Sequence, residues 1–395
     1  IYGADGKKLT NTINSSHQQF YGQTLAQFIQ QVTVDVSGWG NTANTELRKV
    51  IDLVNPSLAI NEGNITVLSH WNLAAQENNQ ALYRTDKGIA PILQLTAEKD
   101  IQLKASLSDG FQLANKVTLE KSAVVDPDAQ PSTNPNNVDL DKALLGSQLS
   151  PTSLGLLTAN LITGDSSSFN LWAKNGDIRL EGKELVKPSS TDNRSLAIPT
   201  MLRTGVGNID LKAGQDIVMV DTLAPAVIYS AGKVEQQNSH STIVQSKQGL
   251  PLLVNNGLVN SVQGGDIHLV AGRHIVGQEI VTDDAKGTVT GQAKMDISQF
   301  WWPWLQNPCF FTEVGCGNNT SSAINLAMFN QGILSVGGNV DIAAQGNVRD
   351  LSVSLPTTWT KTNNQTQVYG GGNLDLYAGG NLLSGRYFVA KGTGN

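Results

Sequence analysis

Residues 371–385 read GGNLDLYAGGNLLSG, and residues 337–353 read GGNVDIAAQGNVRDLSV. The two stretches share one pattern: Gly, Asn or Asp, an apolar residue, any residue, an apolar residue, any residue, Ala, then a second Asn or Asp and another apolar residue. The pattern recurs as GNIDLKAGQDIV from Gly207 and GDIHLVAGRHIV from Gly265. A looser copy, GNITVLSHWNL, starts at Gly63, and partial copies stand at Ile92 (ILQLTAEKDI) and Phe169 (FNLWAKNGDI). Internal repetition of this kind governs the fold, because each copy is one structural unit stacked on the next.

Within each copy the apolar positions alternate: Ile209 and Leu211, Ile267 and Leu269, Val340 and Ile342, Leu374 and Leu376. A period of two marks a strand with one buried face, so these eight residues form the expected core row. Asp210, His268, Asp341 and Asp375 fall between them and point outward. Gly with Asn or Asp at the start suits sharp corners, and the small Ala213, Ala271, Ala344 and Ala378 suit a cramped inner turn. Short strands, corners and no helical linkers predict an all-β fold, a right-handed parallel β-helix with extruded loops. A hairpin sandwich would instead call for two-residue turns between longer strands. About 12 to 16 rounds at about 4.8 Å each would make a rod of roughly 60 to 80 Å.

Counted from Gly176, Gly207, Gly265, Gly338 and Gly372, the copies are unevenly spaced, so the excess chain is assigned to less regular rounds and to insertions. The β-helix is expected over 61–395, with insertions near 121–160, 233–262 and 281–330. Residues 1–60 form an irregular or helix-containing leading segment, in which TLAQFIQQV and NTELRKVIDLV have helix-compatible spacing.

Composition narrows the function. Charged residues make up 15 % and aromatics 6 %, with 39 Gly and no collagen triplet, which excludes both disorder and collagen. A net charge of −6 without a basic stripe argues against nucleic acid, which needs clustered Lys and Arg. No run approaches the roughly 18 apolar residues of a membrane span. The chain begins at Ile1 with no Met and no secretory apolar region, and is read as a processed product or an internal piece.

Chemistry-bearing residues are sparse. Asp210, Asp341 and Asp375 could gather a Ca²⁺ ion or act as acid and base if their strands were adjacent; a solvated outer face is the alternative. His268 takes the outward slot of Asp210 and His274 the corner slot of Asp216, without the converging ligands of a metal site. His17, His70 and His240 have no ligand-like company. The Gly phrases are not followed by helices and so are not dinucleotide loops. Neither a cofactor nor a metal is expected, nor catalysis.

The stretch WWPWLQNPCFFTEVGCG, 301–317, carries three of the seven Trp and both cysteines. Trp301, Trp302, Trp304, Phe310 and Phe311 form either a satellite core on the flank of the rod or a set of aromatic anchors for a sugar or receptor. Cys309 and Cys316, without neighbouring His, suit a small disulfide in an oxidising compartment better than zinc, with two free thiols as the alternative.

Several phrases in order, LTAEKDIQLKASLSDGF, MLRTGVGNIDLKAGQDIV, GGDIHLVAGRHIVG, GNVDIAAQGNVRDLSVSLPTTW and GGNLDLYAGGNLLSGRYFVAKG, resemble the very large filamentous hemagglutinin-like exoproteins of Gram-negative bacteria. The resemblance runs from about residue 60 to the end. It implies a β-helical adhesin at the extracellular cell surface, exported through an outer-membrane partner by two-partner secretion and attaching to host-cell, bacterial or matrix surfaces through a glycan or protein receptor. The family's amino-terminal secretion domain has no clear copy, so the chain is expected to come from the body or far portion of a longer protein. End-to-end continuation or self-association would cover the strand edges at its ends. A passive spacer of a contact-dependent toxin-delivery exoprotein and a β-helical polysaccharide-degrading enzyme are the alternatives. Alkylation of the unreduced protein is expected to label neither Cys309 nor Cys316; labelling of both would establish the free thiols instead.

Overall fold

The computed structural model describes residues 50–55, 63–68, 71–74, 80–85, 88–112, 160–161, 164–181, 183–186, 196–219, 226–237, 242–245, 251–254, 258–278, 321–326, 329, 331–362 and 365–395, with two-residue strands at 12–13, 19–20, 23–24, 76–77, 282–283, 288–289 and 305–306. Among them there is no α-helix. Alternating apolar residues produce short strands, and these gather into three long parallel sheets.

The first sheet stacks Val50–Asn55, Ile92–Ala97, Ser168–Ala173, Ile209–Ala213, Ile267–Ala271, Val340–Ala344 and Leu374–Ala378. The second stacks Ile65–Val67, Ile101–Leu103, Ile178–Leu180, Ile217–Val218, Ile275–Val276, Val348–Arg349 and Leu382–Leu383, with Thr12–Ile13 beneath Ile65–Val67. The third stacks Trp71–Asn72, Leu107–Ser108, Met201–Thr204, Val227–Ser230, Gly332–Ser335, Val353–Leu355 and Tyr387–Val389. Among the described residues the chain thus visits first, second and third sheets in turn, seven times. That is fewer than the 12 to 16 rounds expected, and six spacings of about 4.8 Å give a stack of about 29 Å. The difference lies in the insertions, whose described parts pair antiparallel rather than adding rounds.

The repeated phrase maps onto two corners. At the entrance to the first sheet, Ser168 Oγ accepts the Asn208 N–H, Asn208 Oδ1 that of Asp266, Asp266 Oδ1 that of Asn339, Asn339 Oδ1 that of Asn373, and Asn373 Oδ1 that of Thr393. Between the first and second sheets a second chain of bonds climbs the stack. Asn64, Asp100, Asp177 and Asp216 each accept, through Oδ1, the N–H of the next round's corner residue, ending at His274. His274 Nδ1 then accepts from Asn347, and Asn347 Oδ1 from Asn381. Each side chain satisfies a backbone donor that the strand ladder leaves over, at a net gain of about 1 kcal/mol. The Gly that opens the phrase has a steric reason: a Cβ on Gly265 would stand 1.9 Å from the Gly207 carbonyl oxygen in the round below.

Two sequence assignments change accordingly. GNITV from Gly63 and GDIRL from Gly176 open second-sheet strands, because both corners use the same Asn-or-Asp-plus-apolar signal. Val50–Asn55, inside a stretch with helix-compatible spacing, is a first-sheet strand that pairs with Ile92–Ala97. Parallel pairing therefore begins before residue 61. Its alternation, with Ile51, Leu53 and Asn55 buried and Val50 and Asp52 exposed, is that of a half-buried strand.

Inward rows of all three sheets meet in one apolar column. Ile209, Leu211, Ile267, Leu269, Val340, Ile342 and Leu374 are buried in it, as are Ala213, Ala271 and Ala344. Leu376 and Ala378 are only partly buried, since they lie in the last round, where the inward Leu382 is about half exposed. Residues 391–395 run along Leu374–Ala378, with the Leu374 N–H donating to the Thr393 carbonyl and the Leu376 N–H to that of Asn395.

The described insertion strands leave at two places. Four return from the third sheet to the first: Gln76–Glu77 with Gln80–Ala81, Phe111–Gln112 with Asn160–Leu161, Lys233–Gln237 with Leu258–Val262, and Thr357–Thr362 with Gln365–Gly370. Two more lie between the second and third sheets, at Lys183–Val186 with Leu196–Pro199 and at Thr282–Asp283 with Thr288–Val289. Strands from successive rounds join into an antiparallel side sheet, in which Leu258–Val262 pairs with Ser321–Asn325 and the latter with Thr357–Thr362. The outward row of the third sheet, Ser108, Arg203, Tyr229, Leu334 and Ser354, is buried as well. Phe111 and Phe329 meet Tyr229 there edge-on, at 5.9 and 6.0 Å.

Leu269→Ala removes a fully buried side chain from the middle of the column. It is expected to lower unfolding free energy in urea by about 2–5 kcal/mol, whereas Leu376→Ala in the last round costs clearly less.

Candidate functional site

Among the described residues the outward face of the first sheet is exposed or partly exposed, apart from the buried Thr96. Strand alternation and the shared register place Asp52, Gln94, Asn170, Asp210, His268, Asp341 and Asp375 in one row along it. Two residues further on, Val54, Thr96, Trp172, Lys212, Val270, Ala343 and Tyr377 form a second row. The carboxylates named in the sequence are therefore neighbours: Asp341 lies beside Asp375, and Asp210 is separated from Asp341 only by His268.

His268 is clasped on both sides. Its Nδ1 lies 2.6 Å from Asp210 Oδ1 and its Nε2 3.1 Å from Asp341 Oδ2. The Asn170 amide, turned with its nitrogen toward Asp210, donates to Oδ2 at 3.1 Å. At the upper end Asn395 Nδ2 donates to Asp375 Oδ1 at 2.7 Å. The ammonium groups of Lys212, in the second row, and of Lys174, just past the strand that carries Trp172, stand 5.1 and 5.6 Å from the Trp172 ring centroid, within cation–π range. Among the described residues no group of three or more His, Cys, Asp or Glu side chains is arranged to hold a metal ion.

A second polar centre is buried at the turn from the third sheet to the first. Asp109 accepts from Arg84 Nη2 at 2.5 Å, from the Gly110 N–H at 2.6 Å, and from the Ser167 N–H at 2.7 Å and the Ser167 hydroxyl. Burial pushes the Asp109 carboxyl up, against the opposing pull of the Arg84 charge and of the Ser167 and Gly110 donors. Beside it Arg203 donates to Ser108 Oγ at 2.8 Å and to the Tyr229 hydroxyl at 2.9 Å, with its guanidinium 4.1 Å from the Phe111 ring centroid. This pair of networks ties successive rounds together where the insertion between Gln112 and Asn160 departs. Sequence reasoning missed it; Asp109 sits in SLSDGF, a phrase quoted only for its resemblance.

Trp301, Trp302, Trp304, Phe310, Phe311, Cys309 and Cys316 lie outside the described residues, as do His17, His70 and His240. His274 does occupy the slot of Asp216, as a member of the corner ladder. A scan against protein-family models, a search of curated proteins and a search of solved structures each found no match to this chain.

The Asp216 corner makes a pH test. Burial raises its carboxyl, but the Arg273 fork at 2.8 and 2.6 Å and the His274 N–H at 2.8 Å outweigh burial and hold it below the ordinary carboxylate range. A folded pKa below the unfolded one adds stability that is complete above the unfolded value and is lost as pH falls through the folded one. Asp216→Asn keeps an acceptor for His274 and loses the ionised fork. The variant is expected to be less stable than the parent near pH ~7, with the gap closing toward pH ~3 in denaturant titrations.

Proposed function

We propose that the chain is a segment of a secreted filamentous hemagglutinin-like adhesin, folded as a right-handed parallel β-helix that serves as a rigid rod for attachment. One observation carries the reading: seven rounds of three parallel strands keep a single register and are cross-linked at two corners by side-chain hydrogen bonds. A stack held at that many points along its axis resists bending and can hold a surface away from its anchor. The ordered phrases shared with the family add to it. The described insertion strands leave at two edges and none pairs with the first sheet, which favours a surface that binds along its length over a centre that encloses a substrate.

On this reading the protein is not an enzyme and needs no cofactor. It works outside a Gram-negative cell after export through an outer-membrane partner. Its own partner is a glycan or protein receptor on a host-cell, bacterial or matrix surface. Beads coated with the whole chain are expected to attach to epithelial cells or matrix-coated plates saturably, and several-fold above beads carrying an unrelated β-protein. Absence of attachment would favour a passive spacer, and turnover of a polysaccharide abolished by Asp341→Asn would favour the enzyme.

A further inference from the structure

We infer that the outward face of the first sheet, from Trp172 to Tyr377, is a binding strip for a neutral glycan chain lying along the axis of the stack; this rests on the attachment reading and gives it a ligand class. The first reason is where apolar surface is left in water. Among the described residues eight large apolar side chains are exposed, and four of them, Val50, Trp172, Val270 and Tyr377, belong to this one face. Trp172 is 43 % exposed and Tyr377 65 %. Exposed apolar groups concentrated on one face mark a contact surface, whereas single scattered ones do not.

The second reason is what runs beside them. In the adjacent row Asn170, Asp210, His268 and Asp341 present amide, carboxylate and imidazole groups, with the Asp210 and Asp341 side chains 45 % and 48 % exposed. Asp341 meets His268 through Oδ2 alone. Sugar rings have the matching two-sided chemistry: a C–H face that stacks on aromatic rings and an edge of hydroxyls that donate to carboxylates in charge-assisted hydrogen bonds. Trp172 and Tyr377 stand four strand spacings apart, about 19 Å at ~4.8 Å each, so the strip suits a chain of several rings rather than a single one.

Charge decides against the other occupants. Asp210, Asp341 and Asp375, within the strip, repel sulfated or uronic polymers and nucleic acids. The lysines on this side, Lys174 and Lys212, are drawn to Trp172, and Lys174 also to Glu98 at 3.4 Å.

The test is affinity electrophoresis of the whole chain through gels holding dextran, galactomannan or hydroxyethyl cellulose, with heparin as the anionic control. At least one neutral polymer is expected to retard it. Retardation should weaken about tenfold or more in Trp172→Ala and in Tyr377→Ala, and measurably in Asp341→Asn. Val368→Ala, an exposed apolar residue on a hairpin elsewhere, should run as the parent. Thermal melts certify that each variant is folded. Retardation by heparin alone, by no polymer, or equally in Trp172→Ala and the parent overturns the strip. Bead attachment without retardation sinks the strip alone; retardation without bead attachment sinks the attachment reading alone.

Discussion

The structure depends on a hydrogen bond made at its corners, from the side chain of an Asn, Asp, Ser or His in one round to the backbone N–H of the equivalent residue in the next. Parallel strands satisfy their own backbone groups by pairing with the rounds above and below. A corner leaves the pleat and would strand a donor there. A short polar side chain pointing along the axis reaches the next donor only if the rounds keep the spacing of paired strands and do not slip. The same bond therefore fixes register, which in a half-buried strand decides whether Ile209 or Asp210 faces the column.

Chain length at the turns is uneven. After the first round the turn between first and second sheets is three or four residues in every round. Extra chain is expelled at the turns on either side of the third sheet. There it pairs with chain expelled from other rounds, and the outward side of the third sheet becomes interior, carrying Arg203, Tyr229 and Phe111. No described insertion strand pairs with the first sheet, and the polar and apolar rows of its outward face are at least partly exposed apart from Thr96.

What could be read from the sequence follows the same division. Strand phase in the clear copies was legible because period-two alternation and corner residues repeat together, as at Ile209 to Asp216 and Val340 to Asn347. The assignment of GNITV failed because two different corners carry one signal. Adjacency of Asp210, His268 and Asp341 could not be read, since 58 and 73 residues separate Ile209, Ile267 and Val340 along the chain. Only the pairing of strands across those insertions makes them neighbours. The Asp109 and Arg84 pair was invisible for a related reason: a single Asp in a Ser-rich turn looks solvated until the segments at Arg84 and Ser167 close over it. Breaking such a buried pair typically costs about 3–5 kcal/mol, so a residue without any sequence signature can be among the more important for stability.

One round shows how tightly corner and face are tied. His268 and His274 lie six residues apart in the same round. His274 accepts the Asn347 N–H through Nδ1 at 2.8 Å and so continues the corner ladder in place of a carboxylate. His268 reaches Asp210 and Asp341 through its two nitrogens and so ties its round to those on either side across the outer face. One residue type thus closes the corner in one slot and bridges the face in the other, and the round that carries both is held to its neighbours at the turn and along the candidate strip at once.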